Sequence, residues 1–160
     1  MASKRSHIVG LISDTHGLLR GGVHKALAGV ELILHAGDVG GQEILDELAL
    51  IAPVRAVYGN TDPPDMPGLA EEISLTIGGV TIHVSHGHEL GSPTPTNLSD
   101  NYDADVVVYG HTHRQMVTRI GEKLVINPGA AGPRRFNLRA SVARLTISDR
   151  KAEVEIVELT

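Results

Sequence analysis

The sequence has no cysteine, which excludes disulfides, thiolate metal sites and a cysteine nucleophile. It has no apolar run near the roughly 20 residues that cross a bilayer. The run Ile8-Val9-Gly10-Leu11-Ile12, behind Lys4 and Arg5, is too short for a signal-peptide core and meets Asp14 without a small-residue cleavage site. A soluble, cytoplasmic chain is the resulting expectation. Positive charge is in deficit: 14 Lys and Arg against 19 Asp and Glu leave −5. That balance argues against a broad nucleic-acid surface but not against a small cationic site. Aromatic residues number four, three Tyr and one Phe, against nine histidines. With 160 residues the chain has room for one domain with a sizeable core, spanning 1–160, and too few for two ordinary ones.

Hydrophobic periodicity organises the chain. Segments 7–13, 31–36 and 54–58 read as buried strands that alternate with helical patterns at 23–28 and 42–51. In the second helix Ile44, Leu45, Leu48 and Ile51 share one face, and Pro53 stops it. This order predicts parallel strands in an α/β layered domain. Prolines mark 62–68 and 92–96 as loops, and 97–102 reads as a short helix. The second half is mostly β: 73–77 and 80–85 flank Gly78-Gly79, and 106–109, 115–120 and 123–126 follow. A final hairpin pairs 141–147 with 152–159 around Asp149-Arg150.

Five apolar segments end on side chains that can hold a metal. They run into Asp14, Gly37-Asp38, Gly59-Asn60, Ser85-His86 and Gly110-His111. The intervals are 24, 22, 26 and 25 residues, about one strand and its return connection. The strand ends therefore converge where open α/β sheets bind ligands. Glycine before Asp38, Asn60 and His111 permits unusual backbone angles and close approach. His16 and His113 follow two residues after Asp14 and His111. In an extended loop such residues face the same way, so each pair can reach one centre. Asp14, His16, Asp38, Asn60, His86, His111 and His113 make seven nitrogen or oxygen ligands. Seven exceed one tetrahedral zinc site and fit two ions sharing a carboxylate. The mixed donors favour Mn, Fe, Zn, Co or Ni over Ca or Mg.

Asp14-Thr15-His16, Gly37-Asp38, Gly59-Asn60-Thr61-Asp62, His86-Gly87-His88 and Gly110-His111-Thr112-His113 together resemble the calcineurin-like metallophosphoesterase superfamily. The small size, Asn127-Pro128-Gly129 and Pro133-Arg134 resemble its minimal bacterial and archaeal phosphodiesterases. The resemblance implies an α/β fold of two mixed β-sheets packed as a sandwich with flanking helices, in four layers. It implies two divalent transition-metal ions, Mn first, with Ni, Co, Zn or Fe as alternatives. One ion would take Asp14, His16, Asp38 and His113. The other would take Asp38, Asn60, His86 and His111, so that Asp38 bridges. A metal-bridging hydroxide would attack phosphorus in line, with no covalent enzyme intermediate. The implied activity is hydrolysis of phosphodiesters, or of phosphomonoesters, in a small phosphate-ester substrate. Asp38, Asn60, His88 and Asp62 are the catalytic candidates. His88 is placed to contact phosphate or act as an acid, and Asp62 to support the ligands or cap the turn before Pro63. Arg134 and Arg135 are candidates for pinning a phosphate or for a subunit contact. His7, His24, His35 and His83 read as ordinary structural or surface residues.

Two other functions fit the resemblance. The retromer small subunit shares this fold and acts as a protein-binding scaffold, but it predicts eroded ligands and all seven positions are filled here. A nuclease would need extra DNA-binding elements that this acidic chain has no room for. The edge strands and terminal hairpin leave a homo-oligomer open. Specificity is expected in loops 62–70 and 91–102. The sequence departs from the family at Thr61, where many members carry a histidine that serves the leaving group. A general acid is worth about 10²–10⁴-fold. Thr61→His is therefore expected to raise turnover of alkyl diesters relative to aryl diesters. An unchanged alkyl rate at full metal occupancy would refute this role.

Overall fold

A computed structural model describes residues 6–91, 93–133 and 138–159. Arg134 and Arg135 lie outside the described residues. The first sheet has the order β11-β10-β1-β2-β3-β4. Its strands are β1 (His7–Ile12), β2 (Leu32–His35), β3 (Val54–Val57), β4 (Leu69–Ala70), β10 (Ser141–Ser148) and β11 (Lys151–Glu158). β1 to β4 run parallel, and β10 and β11 add antiparallel strands on one side. The second sheet has the order β5-β6-β7-β9-β8. It comprises β5 (Ile73–Ile77), β6 (Val80–Val84), β7 (Val106–Val108), β8 (Met116–Ile120) and β9 (Lys123–Asn127), also of mixed sense.

Alternation along the strands builds the layers. In β1, Val9 and Leu11 join Leu34, Val57, Ile82, Val84, Val106, Val108 and Ile126 in the core between the sheets. Ile8 and Ile12, one position out of phase, face outward with Ile33. They meet Val23 of α1 (Gly22–Ala26) and Ile44, Leu45 and Leu48 of α2 (Gln42–Leu48). The outer face of the second sheet places Val107 and Val125 under Leu98 of α3 (Pro95–Asn101). The result is the expected helix–sheet–sheet–helix order, because a period-2 strand apolar on both faces must be covered on both.

The local differences have physical causes. Helix α3 begins at Pro95, inside the stretch expected as loop. Thr94 accepts a hydrogen bond from the Asn97 amide and Pro95 enters the first turn, where its missing N–H costs nothing. Helix α2 ends at Leu48, short of Ile51, and Ala49–Ile51 continue as turns. Strand β4 was not legible; its two residues extend the sheet beside β3. Gly78-Gly79 and Asp149-Arg150 all have positive φ, as tight antiparallel hairpins require.

His35 ends β2 and is fully buried. Its Nδ1 accepts from the Gly37 amide, and its Nε2 meets Thr15 Oγ1, whose own proton goes to the Val39 carbonyl. The ring is therefore a neutral Nε2–H tautomer with both nitrogens satisfied. Burial lowers its pKa to about 4, against the opposing pull of Asp14. Below about pH 6.5 the unfolded chain takes up a proton that the folded chain refuses until about pH 4. Stability of the metal-free protein should thus fall as pH drops through that window, by about 3 kcal/mol from this residue. Denaturant midpoints for the parent and His35→Gln across this range check it: the difference in stability between the two should change with pH in this sense, the parent losing more as pH falls.

Candidate metal centre

The strand ladders continue past the strand ends before the chain turns away. Asp14 N donates to Gly37 O at 2.9 Å and His16 N to Asp38 O at 2.9 Å, so the loops after β1 and β2 run side by side. Ser85 N to Val108 O and Gly110 N to His86 O do the same after β6 and β7. The two sheets then present their ligand loops at one edge of the sandwich. Contact there is too close for side chains: a Cβ on Gly37 would lie 2.6 Å from His86 Nδ1, and one on Gly110 would lie 2.6 Å from Asp14 Oδ2. A Cβ on Gly59 would overlap the Asp38 side chain. The glycines expected to open the site do so by close approach, and only Gly37 of the three also has positive φ.

The side chains converge by a route the sequence did not suggest. Asp14, His16, Asp38, His111 and His113 have φ of 54°, 46°, 56°, 71° and 64°. They are left-handed, not extended as the i, i+2 argument supposed. Non-glycine residues adopt this region at a cost and concentrate in functional sites when they do. Asp14, His16 and His113 form one group of potential ligands, and Asp14, Asp38 and His86 another, with ligand atoms of each within 4.8 Å of one another. Asp14 Oδ1 lies 3.4 Å from His113 Nε2, 3.7 Å from His16 Nε2 and 3.8 Å from His86 Nε2. Asp38 Oδ2 lies 3.2 Å from His86 Nε2 and 3.5 Å from His16 Nε2. Asn60 Oδ1 completes the edge at 3.1 Å from His86 Nε2 and 3.2 Å from His111 Nδ1. All seven expected positions are thus brought together; Asp14 belongs to both groups, and Asp38, a member of the second, also lies 3.5 Å from His16 of the first.

Each central carboxylate is held from behind. Asp14 Oδ2 accepts from Ser13 Oγ at 2.6 Å and from the His111 amide at 3.2 Å. Asp38 Oδ1 accepts from the Thr61 amide at 2.9 Å and the Thr61 hydroxyl at 2.7 Å. The other oxygens, Asp14 Oδ1 and Asp38 Oδ2, are left facing the imidazoles. His86 Nδ1 donates to the Ala36 carbonyl at 2.7 Å, which turns Nε2 toward the centre. Burial works against charge on Asp38, but the hydrogen bond and charge of His86 and the Thr61 donors hold its carboxyl far below the usual range. Burial likewise lowers His86, yet Asp38 and Asp14 outweigh it and push the imidazole up. A cation here would compete with the proton that Asp38 and Asp14 favour on His86. Asp14 Oδ1 and His16 Nε2 are buried without a hydrogen-bond partner. A cation among the nitrogen and oxygen donors satisfies both, so the residues present fit a metal.

The supporting residues were less legible. Asp62, expected among the catalytic candidates, is spent on backbone: it accepts from Val39, Gly40 and Gly59 amides at 2.9, 3.0 and 3.0 Å. It ties the loop carrying Asp38 to the loop carrying Asn60 and is a positioning residue. Thr61 orients Asp38, so replacing it by histidine removes a donor as well as adding an acid. Asn127 donates to Gly110 O and Thr112 Oγ1 and accepts from Gly129 N, which fixes the Gly110–His113 loop. Neither it nor Ser13 has a spacing signal that assigns these roles. His88 lies beside the group, its ring 5.3 Å from His86 and 6.3 Å from His111. His83 stacks on Tyr102 at 3.9 Å, and His7 and His24 pair with Glu31 and Glu47 near the surface.

The profile of the calcineurin-like phosphoesterase superfamily domain matches residues 8–150. A probable metallophosphoesterase of Methanocaldococcus jannaschii is 34% identical over 161 residues, covering 95% of this chain and 81% of its own. A phosphodiesterase of the same organism is 32% identical over 139 residues, covering 76% and 82%. Among solved structures, Vacuolar Protein Sorting 29 of Cryptosporidium parvum matches with TM-score 0.79 and 26% identity over 97% of this chain and 98% of that one. A zinc complex of wild-type Vps29 from Entamoeba histolytica matches with TM-score 0.77 and 26% identity, covering 94% and 98%.

Asp62→Ala should leave three amides without their carboxylate and cost about 3 kcal/mol or more. It should also weaken metal binding by about 10-fold or more, because the two loops lose their common anchor. Thermal unfolding with and without chelator, together with metal titration calorimetry, reads both effects.

Proposed function

The chain belongs to the calcineurin-like phosphoesterase superfamily, and from that premise we propose that it is a metal-dependent hydrolase of phosphodiesters, with phosphomonoesters as a second class. The observation that carries the reading is the pair of buried carboxylates, each pinned through one oxygen while the other faces imidazole nitrogens. In this proposal the site holds two divalent ions, manganese first, and the chain works as a single domain. Asp14, His16, Asp38 and His113 would hold one ion, and Asp38, Asn60, His86 and His111 the other. When bound, the ions supply Lewis acidity toward phosphate oxygens and bring the pKa of a coordinated water toward neutrality, which provides the attacking oxygen.

The chain's own residues orient and charge the site. Ser13 and the His111 amide fix the rotation of Asp14, and Thr61 fixes that of Asp38, so each presents a single oxygen. The Ala36 carbonyl keeps a proton on His86 Nδ1 and aims Nε2 inward. Two ions of charge +2 against Asp14 and Asp38 leave the centre net positive, which attracts a phosphate ester to an otherwise acidic chain. Thr61 donates its hydroxyl proton to Asp38 and is a poor acid, so His88, whose ring lies 5.3 Å from that of His86, is assigned to hand a proton to the leaving oxygen.

A second reading is a protein-binding scaffold without turnover, favoured by the likeness to Vacuolar Protein Sorting 29. The chelated protein, reloaded separately with Mn, Co, Ni and Zn and given bis(p-nitrophenyl) phosphate, separates them. We expect nitrophenolate release with at least one ion and two bound ions per chain. A folded, metal-loaded protein that is inactive with all four belongs to the scaffold reading.

A further inference from the structure

Strand β8 is an outer strand of the second sheet, and among the described residues no strand pairs with its free side. Four large apolar side chains are exposed among those residues: Leu18, Leu50, Met116 and Val117. Met116 and Val117 are neighbours on β8, at 39% and 45% exposure. The direction of the β8 backbone groups follows from β9. Leu124 N donates to Asp105 O, and Ile126 O accepts from Tyr109 N, so Leu124 and Ile126 bond toward β7. Their opposites on β8 are Arg119 and Val117. In an antiparallel ladder those two residues turn N–H and C=O away from β9, to the open side. Unpaired backbone and exposed apolar surface thus share one edge, the combination that accepts another strand. The other edges are blunted. On β11 the two-fold registers centred on Glu153, Val154 or Glu155 set these glutamates against themselves or each other. Strand β4 has two residues, and on β5 only Ser74 and Thr76 are exposed.

We propose that β8 is the interface between two copies of this chain, paired antiparallel about Thr118. The inference is independent of the phosphoesterase reading. In this register Val117 lies opposite the partner's Arg119, so the two outward-facing residues exchange N–H···O bonds, and the two-fold axis repeats the pair. Met116 lies opposite the partner's Ile120, an apolar pair on the face where Ile120 packs with Leu98 and Ala104 under α3. Thr118 meets the partner's Thr118, which suits a cross-strand pair. The same register, continued past the strand ends, brings Arg114 level with the partner's Glu122. Both are exposed, and among the described residues neither forms an ion pair. The sequence is therefore complementary to itself about Thr118, with opposite charges at both ends and no like charges opposed. Met116 follows His113 by three residues. The partner's turn at Gly121-Glu122 would then stand beside the loop that carries His111 and His113. A strand pair this short is at the small end of specific interfaces, so a dissociation constant on the order of 1–100 μM is expected.

Sedimentation velocity of the metal-loaded protein from about 1 to 500 μM should show a reversible monomer–dimer equilibrium. Val117→Lys sets a cation against the partner's Arg119 twice and should weaken the dimer by about tenfold or more. Glu122→Arg opposes Arg114 with a like charge and should also weaken it, and adding Arg114→Glu should restore most of the parent affinity. The chain has no cysteine, so Thr118→Cys places one thiol per copy at the two-fold axis. The paired Cα atoms there lie about 4.5 Å apart, within disulfide range. Mild oxidation should cross-link Thr118→Cys but not Met116→Cys, whose two copies lie about 13 Å apart along the strands. A parent that stays monomeric across the whole range overturns the inference. So does a dimer unaffected by both Val117→Lys and Glu122→Arg, or one that cross-links Met116→Cys as readily as Thr118→Cys, because either puts the contact elsewhere.

Discussion

The structure depends on placing two carboxylates, Asp14 and Asp38, in nearly dry protein within reach of the same imidazoles. Among the described residues neither forms an ion pair with lysine or arginine; the side-chain nitrogens within 4 Å of them all belong to histidines. Like charges that close repel strongly when water is excluded, and a fold tolerates them only with compensation. Compensation comes partly from donors behind each carboxylate: Ser13 and a backbone amide for Asp14, Thr61 twice for Asp38. Those donors also decide which oxygen faces inward, so the same contacts that lower the electrostatic cost impose the directionality a metal requires.

Backbone geometry adds a second cost at the same place. Five of the seven candidate ligands have left-handed φ, and each such residue costs on the order of 1 kcal/mol or more. The surrounding ladder over-determines them. Asp14, His16 and Gly17 are hydrogen-bonded in succession to Gly37, Asp38 and Val39, so the loops cannot relax independently. Asp62 locks the second loop to the third through three amides, and Asn127 locks the loop after β7 to the turn at Gly129. Strain at the rim is thus held by the sheets and the apolar core between them.

Much of this was legible in the sequence, for a definite reason. A buried strand announces itself by its apolar run, and a polar residue that ends one is conspicuous. Asp14, Asp38, Asn60, His86 and His111 could therefore be placed at one sheet edge without knowing a single contact. The alternation in β1 likewise separates Val9 and Leu11 from Ile8 and Ile12 before any layer is seen. What escaped is what has no periodicity. Ser13 holds the adjacent Asp14 and Asn127 reaches Gly110 and Thr112, 17 and 15 positions away, and no periodic pattern marks either contact. Asp62 was singled out both among the catalytic candidates and as a support or turn cap, and the sequence could not choose between them, because a carboxylate facing amides and one facing substrate look alike there. The start of α3 was missed because Pro93 and Pro95 read as breakers, whereas Pro95 occupies the one helical turn that accepts it.

The same energetics bear on whether such a site is kept for binding protein or for chemistry. A scaffold needs an outer surface of the right shape and could replace Asp14 or Asp38 by a neutral residue, shedding both repulsion and desolvation. It would also be free to restore ordinary backbone angles at His16 and His113. Here the costs are concentrated in the atoms that face inward, while the oxygens facing outward are fully engaged. A cation at the inner face would offset the electrostatic cost further, beyond what His86 and the donors behind each carboxylate supply. In the proposed reading the centre is conditional on its metal, since a cation and the proton favoured on His86 by Asp38 and Asp14 would compete for the same edge. Metal loading is therefore coupled to the whole ligand edge, and a change in any one supporting donor is transmitted to both sheets.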